Sequence, residues 1–132
     1  MSIYDIRVGL AAALADVTAF GGRVSAYYPD VINPPMGIVD TVRVDFDSAF
    51  NRGSDEILID VMAVVRRNSE RAAQEELDSL VPAVKAALQA DTSLGGACDD
   101  LIVTAMNGYA PLAVGESTYL AATFAVRVIA TA

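Results

Sequence analysis

Between residues 55 and 96 the hydrophobic pattern changes period once, and the rest of the chain is arranged around that change. Ile57, Ile59, Val61, Ala63 and Val65 alternate with Leu58, Asp60, Met62 and Val64. A period of two predicts a strand with one wholly apolar face and one mixed face. Arg66-Arg67 ends the run. Leu77, Leu80, Val81, Val84 and Leu88 then recur at spacings of three and four, the stripe of an amphipathic helix. Asn68 or Ser69 stands where a cap belongs, with Glu70 in the first turn, where the helix dipole favours negative charge. Glu70, Gln74, Asp78, Lys85 and Gln89 fall largely away from the stripe. Asp91-Thr92-Ser93 breaks the pattern, and Gly95-Gly96 turns the chain without steric cost. Pro82 lies inside the helix, where it removes a donor and crowds the carbonyl of Asp78. Val81 has no side-chain acceptor with which to cap a second helix, so the expectation is one kinked helix rather than two.

The flanking pattern supplies the other elements. Ser2 with Asp5 three residues on approximates a capping box, and Ile3, Ile6, Leu10, Leu14 and Val17 share one face. That predicts a first helix over residues 3–19, ended by Gly21-Gly22. Residues 23–28 read as a short strand and residues 29–37 as a loop, since Pro34-Pro35 excludes helix. Over residues 38–46, Val42, Val44 and Phe46 alternate with Thr41, Arg43 and Asp45. Residues 47–54, carrying Asn51-Arg52-Gly53, join this strand to the next as a hairpin with a projecting loop. Residues 101–106 form a strand, Asn107-Gly108 and Pro111 a turn, and residues 118–130 a last strand. There Leu120, Ala122, Phe124, Val126 and Val128 make one face and Tyr119, Thr123, Arg127 and Ile129 the other. The order α-β-β-β-α-β-β predicts an α+β fold: a mixed, mostly antiparallel sheet of about five strands with two main helices on one face. A chain of 132 residues argues for a single domain over residues 1–132, large enough to bury roughly two thirds of its unfolded surface.

Charge and composition remove several classes of function. The net charge is −8, with eight Arg, one Lys and no Lys/Arg cluster beyond Arg66-Arg67. Such a chain is repelled by nucleic acid and by anionic membrane. Hydrophobic residues make up 54% of it, yet no charge-free apolar run reaches the ~18 residues of a membrane span. The opening residues lack the basic start and continuous apolar core of a signal peptide. There is no His, which excludes His-based acid–base chemistry, the common catalytic triads and His-containing metal sites. Cys98 is the one cysteine and reads as a buried or half-buried thiol. Neither glycine pair has phosphate-loop spacing or follows a strand. Asp45/Asp47, Asp55/Glu56, Glu75/Glu76 and Asp99/Asp100 are carboxylate pairs without calcium-loop spacing, and read as solvated acidic turns or helix faces. Asp60 differs, being a carboxylate among strand residues; it reads as a cross-strand partner of Arg43 or Arg127. The physical reading thus ends at an acidic α+β domain with no catalytic, metal or cofactor signature, and so not an enzyme.

The layout resembles the tail terminator (tail completion) proteins of long-tailed bacteriophages. The resemblance covers nearly the whole chain. It rests on the leading helix, on RVSAYYPDVINPPMGIV where a strand meets a Pro-rich loop, and on EILIDVMAVVRR running into AAQEELDSLVPAVKAALQADTSLGG. The last part is the closing strand STYLAATFAVRVIATA. LDSLVPAVKAALQADTSLGG, a helix followed by an Asp and a Leu-Gly-Gly turn, is its most specific part. These are packing patterns, and the family has no active site to carry over. The resemblance implies a virion structural protein at the head-proximal end of the tail, assembled in the host cytoplasm. It implies a ring, usually hexameric, that caps the tail tube, stops its polymerisation and offers a joining surface to the head connector or stopper. DNA passes through such a ring without being held. Another head–tail connector, such as a head-completion or stopper protein, and a minor tail-tube subunit remain alternatives. A carboxylate-metal hydrolase built on Asp60 with Asp45 is a distant one.

For a ring-former the pattern offers two contact surfaces. The loop around Asp47, Phe50 and Arg52 is polar, yet it carries an aromatic with no place in the sheet, as loop anchors at interfaces do. The second face of the sheet presents Met62, Val64, Tyr119 and Ile129 beside Asp60, Arg43, Thr123 and Arg127. It is left open if both helices cover the first face. The opposing expectation is that residues 29–37 and 107–115 fold over it.

Overall fold

A computed structural model describes residues 2–46 and 53–131. Its architecture is α+β, with two helices and a five-stranded mixed sheet. Helix α1 (Ile3–Ala15) begins where the backbone N–H of Asp5 donates to Ser2 Oγ at 3.1 Å, the cap that the spacing predicts. It ends four residues before the predicted limit. Asp16 and Val17 donate to the carbonyls of Ala13 and Leu14, and Val17 then turns extended. That turn starts a short 3₁₀ segment, Thr18–Phe20, which buries Phe20 completely; Gly21 closes it in the left-handed conformation.

Strand β1 is only Val24–Ser25, shorter than expected, and pairs in parallel with β2 (Met36–Asp45). The sheet continues through β3 (Ser54–Arg66), β5 (Ser117–Thr131) and β4 (Asp100–Val114), all antiparallel, in the order β1-β2-β3-β5-β4. Helix α2 (Glu70–Gln89) connects β3 to β4. It is one helix across Pro82, as expected, and Ser69 Oγ accepts the N–H of Ala72 at its start.

The core lies between the helices and one sheet face. Ile6, Leu10 and Leu14 of α1 and Leu77, Leu80, Val84 and Leu88 of α2 pack with Ile57, Ile59, Val61, Leu120, Phe124 and Val126. Those sheet residues belong to the alternating faces read from the sequence. Three bulges displace the alternation elsewhere. Between Val39 and Val42, β2 carries one residue more than β3, which puts Val39 and Val42 on the same side, toward the helices. Strand β4 has two more, between Val103 and Ala105 and between Met106 and Tyr109.

These bulges overturn the predicted turn at Asn107-Gly108 and Pro111. The strand continues through all three residues and turns only between Val114 and Ser117. Gly108 accepts φ of 97° beside the second bulge. Pro111 stands on an edge strand, where a missing N–H is tolerated. Leu101, Val103, Met106 and Tyr109 thereby all reach the core, at a spacing that is neither two nor 3.6.

Candidate interaction surface

The second sheet face is not one continuous surface. At the end where Arg66 pairs with Tyr119, segment 29–37 folds over it. Ile32 and Met36 form a small second core with Ile38, Met62, Val64 and Ala121, against which Leu112, Val114 and Tyr119 pack. Met62 is only 7% exposed and Val64 is fully buried. Neither is therefore a contact residue, which corrects the expectation for Met62: the Pro-rich loop supplies Ile32 as its cover. Tyr119 is half-buried at the rim of this cluster.

The remainder of the face carries internally paired polar residues beside half-buried Leu58 and Ile129 and exposed Ile102. Asp60 is not an ion-pair partner of Arg43 or Arg127, as the sequence suggested. It accepts a hydrogen bond from the Thr41 hydroxyl at 2.8 Å, while Arg43 pairs with Asp45 at 3.2 Å and Arg127 with Glu56 at 3.1 Å. The register accounts for this: at the β2 bulge Asp40 and Thr41 together stand opposite Asp60, while Arg43 stands opposite Leu58. Such exposed ion pairs contribute at most about 1 kcal/mol and fix register more than they add stability. The bulge also sets Asp40 near Asp60. Partial burial, and then the charge of Asp60, push the Asp40 carboxyl above the usual carboxylate range, while Arg7 pulls it back. Among the described residues no group of three or more His, Cys, Asp or Glu is placed to hold a metal ion. The loop residues Asp47, Phe50 and Arg52 lie outside the described residues. Their neighbour Phe46, at the end of β2, is 74% exposed.

Two further surfaces emerge that the periodicity did not single out. Helix α1 is apolar beyond its buried stripe: Ile3, Tyr4 and Val8 are exposed, Tyr4 to 62%. Next to them Arg7 lies over the Tyr27 ring, 4.6 Å from its centroid. Its guanidinium also donates to the carbonyls of Ala26 (2.8 Å) and Asp40 (2.9 Å), locking α1 to the β1–β2 region. Tyr27, which Arg7 joins to α1, is exposed too, as are Tyr28 and Val31 in the loop after β1. The signal was present in the sequence. Of the residues in α1 only Asp5 and Arg7 are charged, and a helix apolar on nearly all sides expects cover on more than one.

The other surface is a cleft of about 380 Å³ at the Arg66 end, lined by Ile32, Pro34, Arg66, Asn68, Ser117 and Tyr119 among others. The same end of the sheet carries the start of α2, where Arg67 pairs with Glu70. At the opposite end, Asp91 closes the chain after α2. Its carboxylate accepts from the Ser93 hydroxyl and from the N–H groups of Ser93 and Gly95, and these bonds hold it below the usual carboxylate range. This is the Asp that precedes the Leu-Gly-Gly turn, and its role is to shape that turn.

No protein-family model matches the chain, and no curated protein matches it. Among the described residues no helix is long and apolar enough to cross a membrane.

Proposed function

We propose that this chain is a structural virion protein, a tail terminator whose copies form a ring, hexameric in the resemblance, that caps the tail tube and presents a joining surface to the head connector. The observation that supports association is the exposure of Tyr4, Val8, Tyr27, Tyr28 and Val31. Tyrosines that combine apolar area with a polar tip are enriched where proteins meet. These residues also move the expected contact. The part of the second sheet face that held Met62 and Val64 is already covered within one chain, so copies meet elsewhere. The terminator role itself rests on the sequence resemblance and on a net charge of −8, which suits a conduit that must not retain DNA.

Electron microscopy of particles assembled without this protein tests the role. Overlong or uncapped tails are expected. Normal tails attached to heads that leak DNA would assign the chain to head completion instead.

A further inference from the structure

Among the described arginines, Arg66 alone has no partner. Arg7 and Arg23 donate to backbone carbonyls, and Arg43, Arg67, Arg71 and Arg127 each pair with a carboxylate. Among the described residues the Arg66 side chain has neither an ion pair nor a hydrogen bond, although the chain holds 17 Asp and Glu. It stands in the cleft with Asn68, Ser117 and Tyr119, none of whose side chains hydrogen-bonds to another described residue. A planar guanidinium surrounded by amide and hydroxyl donors is the chemistry that takes a carboxylate, through two parallel N–H···O bonds. A polyanion does not suit the site, because the rest of the molecule repels it.

Glu116, next to Ser117, is an exposed carboxylate at the same end, but the adjacent exposed pair Asp99-Asp100 stands at the far end of the sheet, where β4 begins. Arg66 pairs with Tyr119 at one end of the β3–β5 ladder and Ser54 with Thr131 at the other, some twelve residues away, or about 40 Å. At that far end Asp99 and Asp100 are exposed, next to Asp5 across a hollow formed with Ser2 and Thr131. Asp99 accepts from the Thr131 hydroxyl at 2.6 Å and Asp100 from the N–H of Leu101 at 2.9 Å, each through one oxygen. Among the described residues the second oxygen of each has no partner. Cleft and carboxylates are too far apart to meet in one chain, but they are complementary between two.

We infer that the Arg66 cleft of one copy receives the Asp99–Asp100 turn of a second copy. This rests on the ring reading above and names a contact that builds the ring. Such a contact is heterologous, using a different surface on each side, and it repeats until it closes. The opposite charges of Arg66 and of Asp99 with Asp100 fix the register of successive copies and add specificity more than affinity. The apolar band on α1 supplies burial that a charge contact alone lacks.

Charge exchange tests the contact, read by native mass spectrometry and analytical ultracentrifugation at tens of micromolar, with and without tail tubes. Arg66→Glu and the pair Asp99→Arg/Asp100→Arg are each expected to weaken association at least tenfold, and the triple variant to restore it. Arg43→Glu, which alters an exposed pair outside the contact, is the control and leaves association unchanged. Melting curves confirm that each variant folds. Normal assembly of Arg66→Glu overturns this contact and leaves the ring reading standing. Loss that the triple variant does not rescue overturns Asp99 and Asp100 as the partners. A wild-type chain that stays monomeric with and without tubes overturns both the contact and the ring.

Discussion

Gly37 shows how closely a single position is constrained. A Cβ there would stand 2.9 Å from Phe20 Cε2 and 3.3 Å from Leu14 Cδ1, both of them fully buried. Gly37 also donates its N–H to the carbonyl of Arg23 at 3.0 Å, the bond that starts the parallel β1–β2 pairing. Its φ is not in the left-handed region, so the demand is one of space rather than of backbone conformation. Gly37→Ala is therefore expected to cost about 1–3 kcal/mol by overpacking the site beneath Phe20. Urea denaturation measures it; a change below a few tenths would mean that Phe20 moves aside freely. Arg7 is a second example. The pattern marks it as a charge interrupting an apolar helix, yet it lies over Tyr27 and joins α1 to the carbonyls of β2.

At the scale of elements, polar bonds join β4 to α2 at the edge of the sheet: the N–H of Val103 donates to Gln89 Oε1 at 3.0 Å, and a second bond lies earlier in the helix. The Tyr109 hydroxyl donates to the Asp78 carboxylate at 2.6 Å, one turn before Pro82. Burial, and then the bond and charge of Asp78, push the Tyr109 phenol up to about 12. A group whose folded pKa is raised contributes stability that is complete below its unfolded value, near 10. That stability is lost as pH rises through about 12, because the unfolded chain releases the proton first. Tyr109→Phe is expected to lower stability at pH 7 by about 1 kcal/mol, the modest value of a bond near the surface. It is also expected to flatten the loss between pH 10 and 12. Thermal melts of both proteins across that range check it, and parallel alkaline curves would show that the bond is not made in solution.

The whole molecule is acidic, with a net charge of −8. Asp5, Asp99 and Asp100 gather at the end where β4 begins, while Arg66 and Arg67 stand at the opposite end of the sheet, beside the start of α2. No basic stripe follows from this arrangement among the described residues. Affinity for duplex DNA depends on Lys and Arg neutralising several phosphates in a row. The protein is accordingly expected not to bind duplex DNA tightly. A gel-shift assay at low salt is the check, and submicromolar binding would contradict it.

Local pattern determined the elements whose surroundings are uniform. Residues 57–65 and 120–128 alternate on a sheet buried by helices along its length, so their apolar faces were legible as they stand. The same holds for α2, whose stripe, cap and uninterrupted course through Pro82 follow from spacing and capping chemistry. Tertiary contacts decided what period cannot encode. A bulge adds one residue and resets the alternation, so β4 read as a strand followed by a turn; and the pairing register put Thr41, not Arg43, opposite Asp60. Strand pairing selected both outcomes, because the partner strand defines which residues stand opposite. The first helix stopped early because burying Phe20 over Gly37 outweighs one more turn of helix. Of the candidate contact residues, Met62 was withdrawn by Ile32, a residue thirty positions away in the chain. Arg66 became prominent only once every other described arginine was seen with its partner. A sequence records which residues are apolar or charged, but which of them remain uncovered depends on segments distant along the chain, and only their packing settles that.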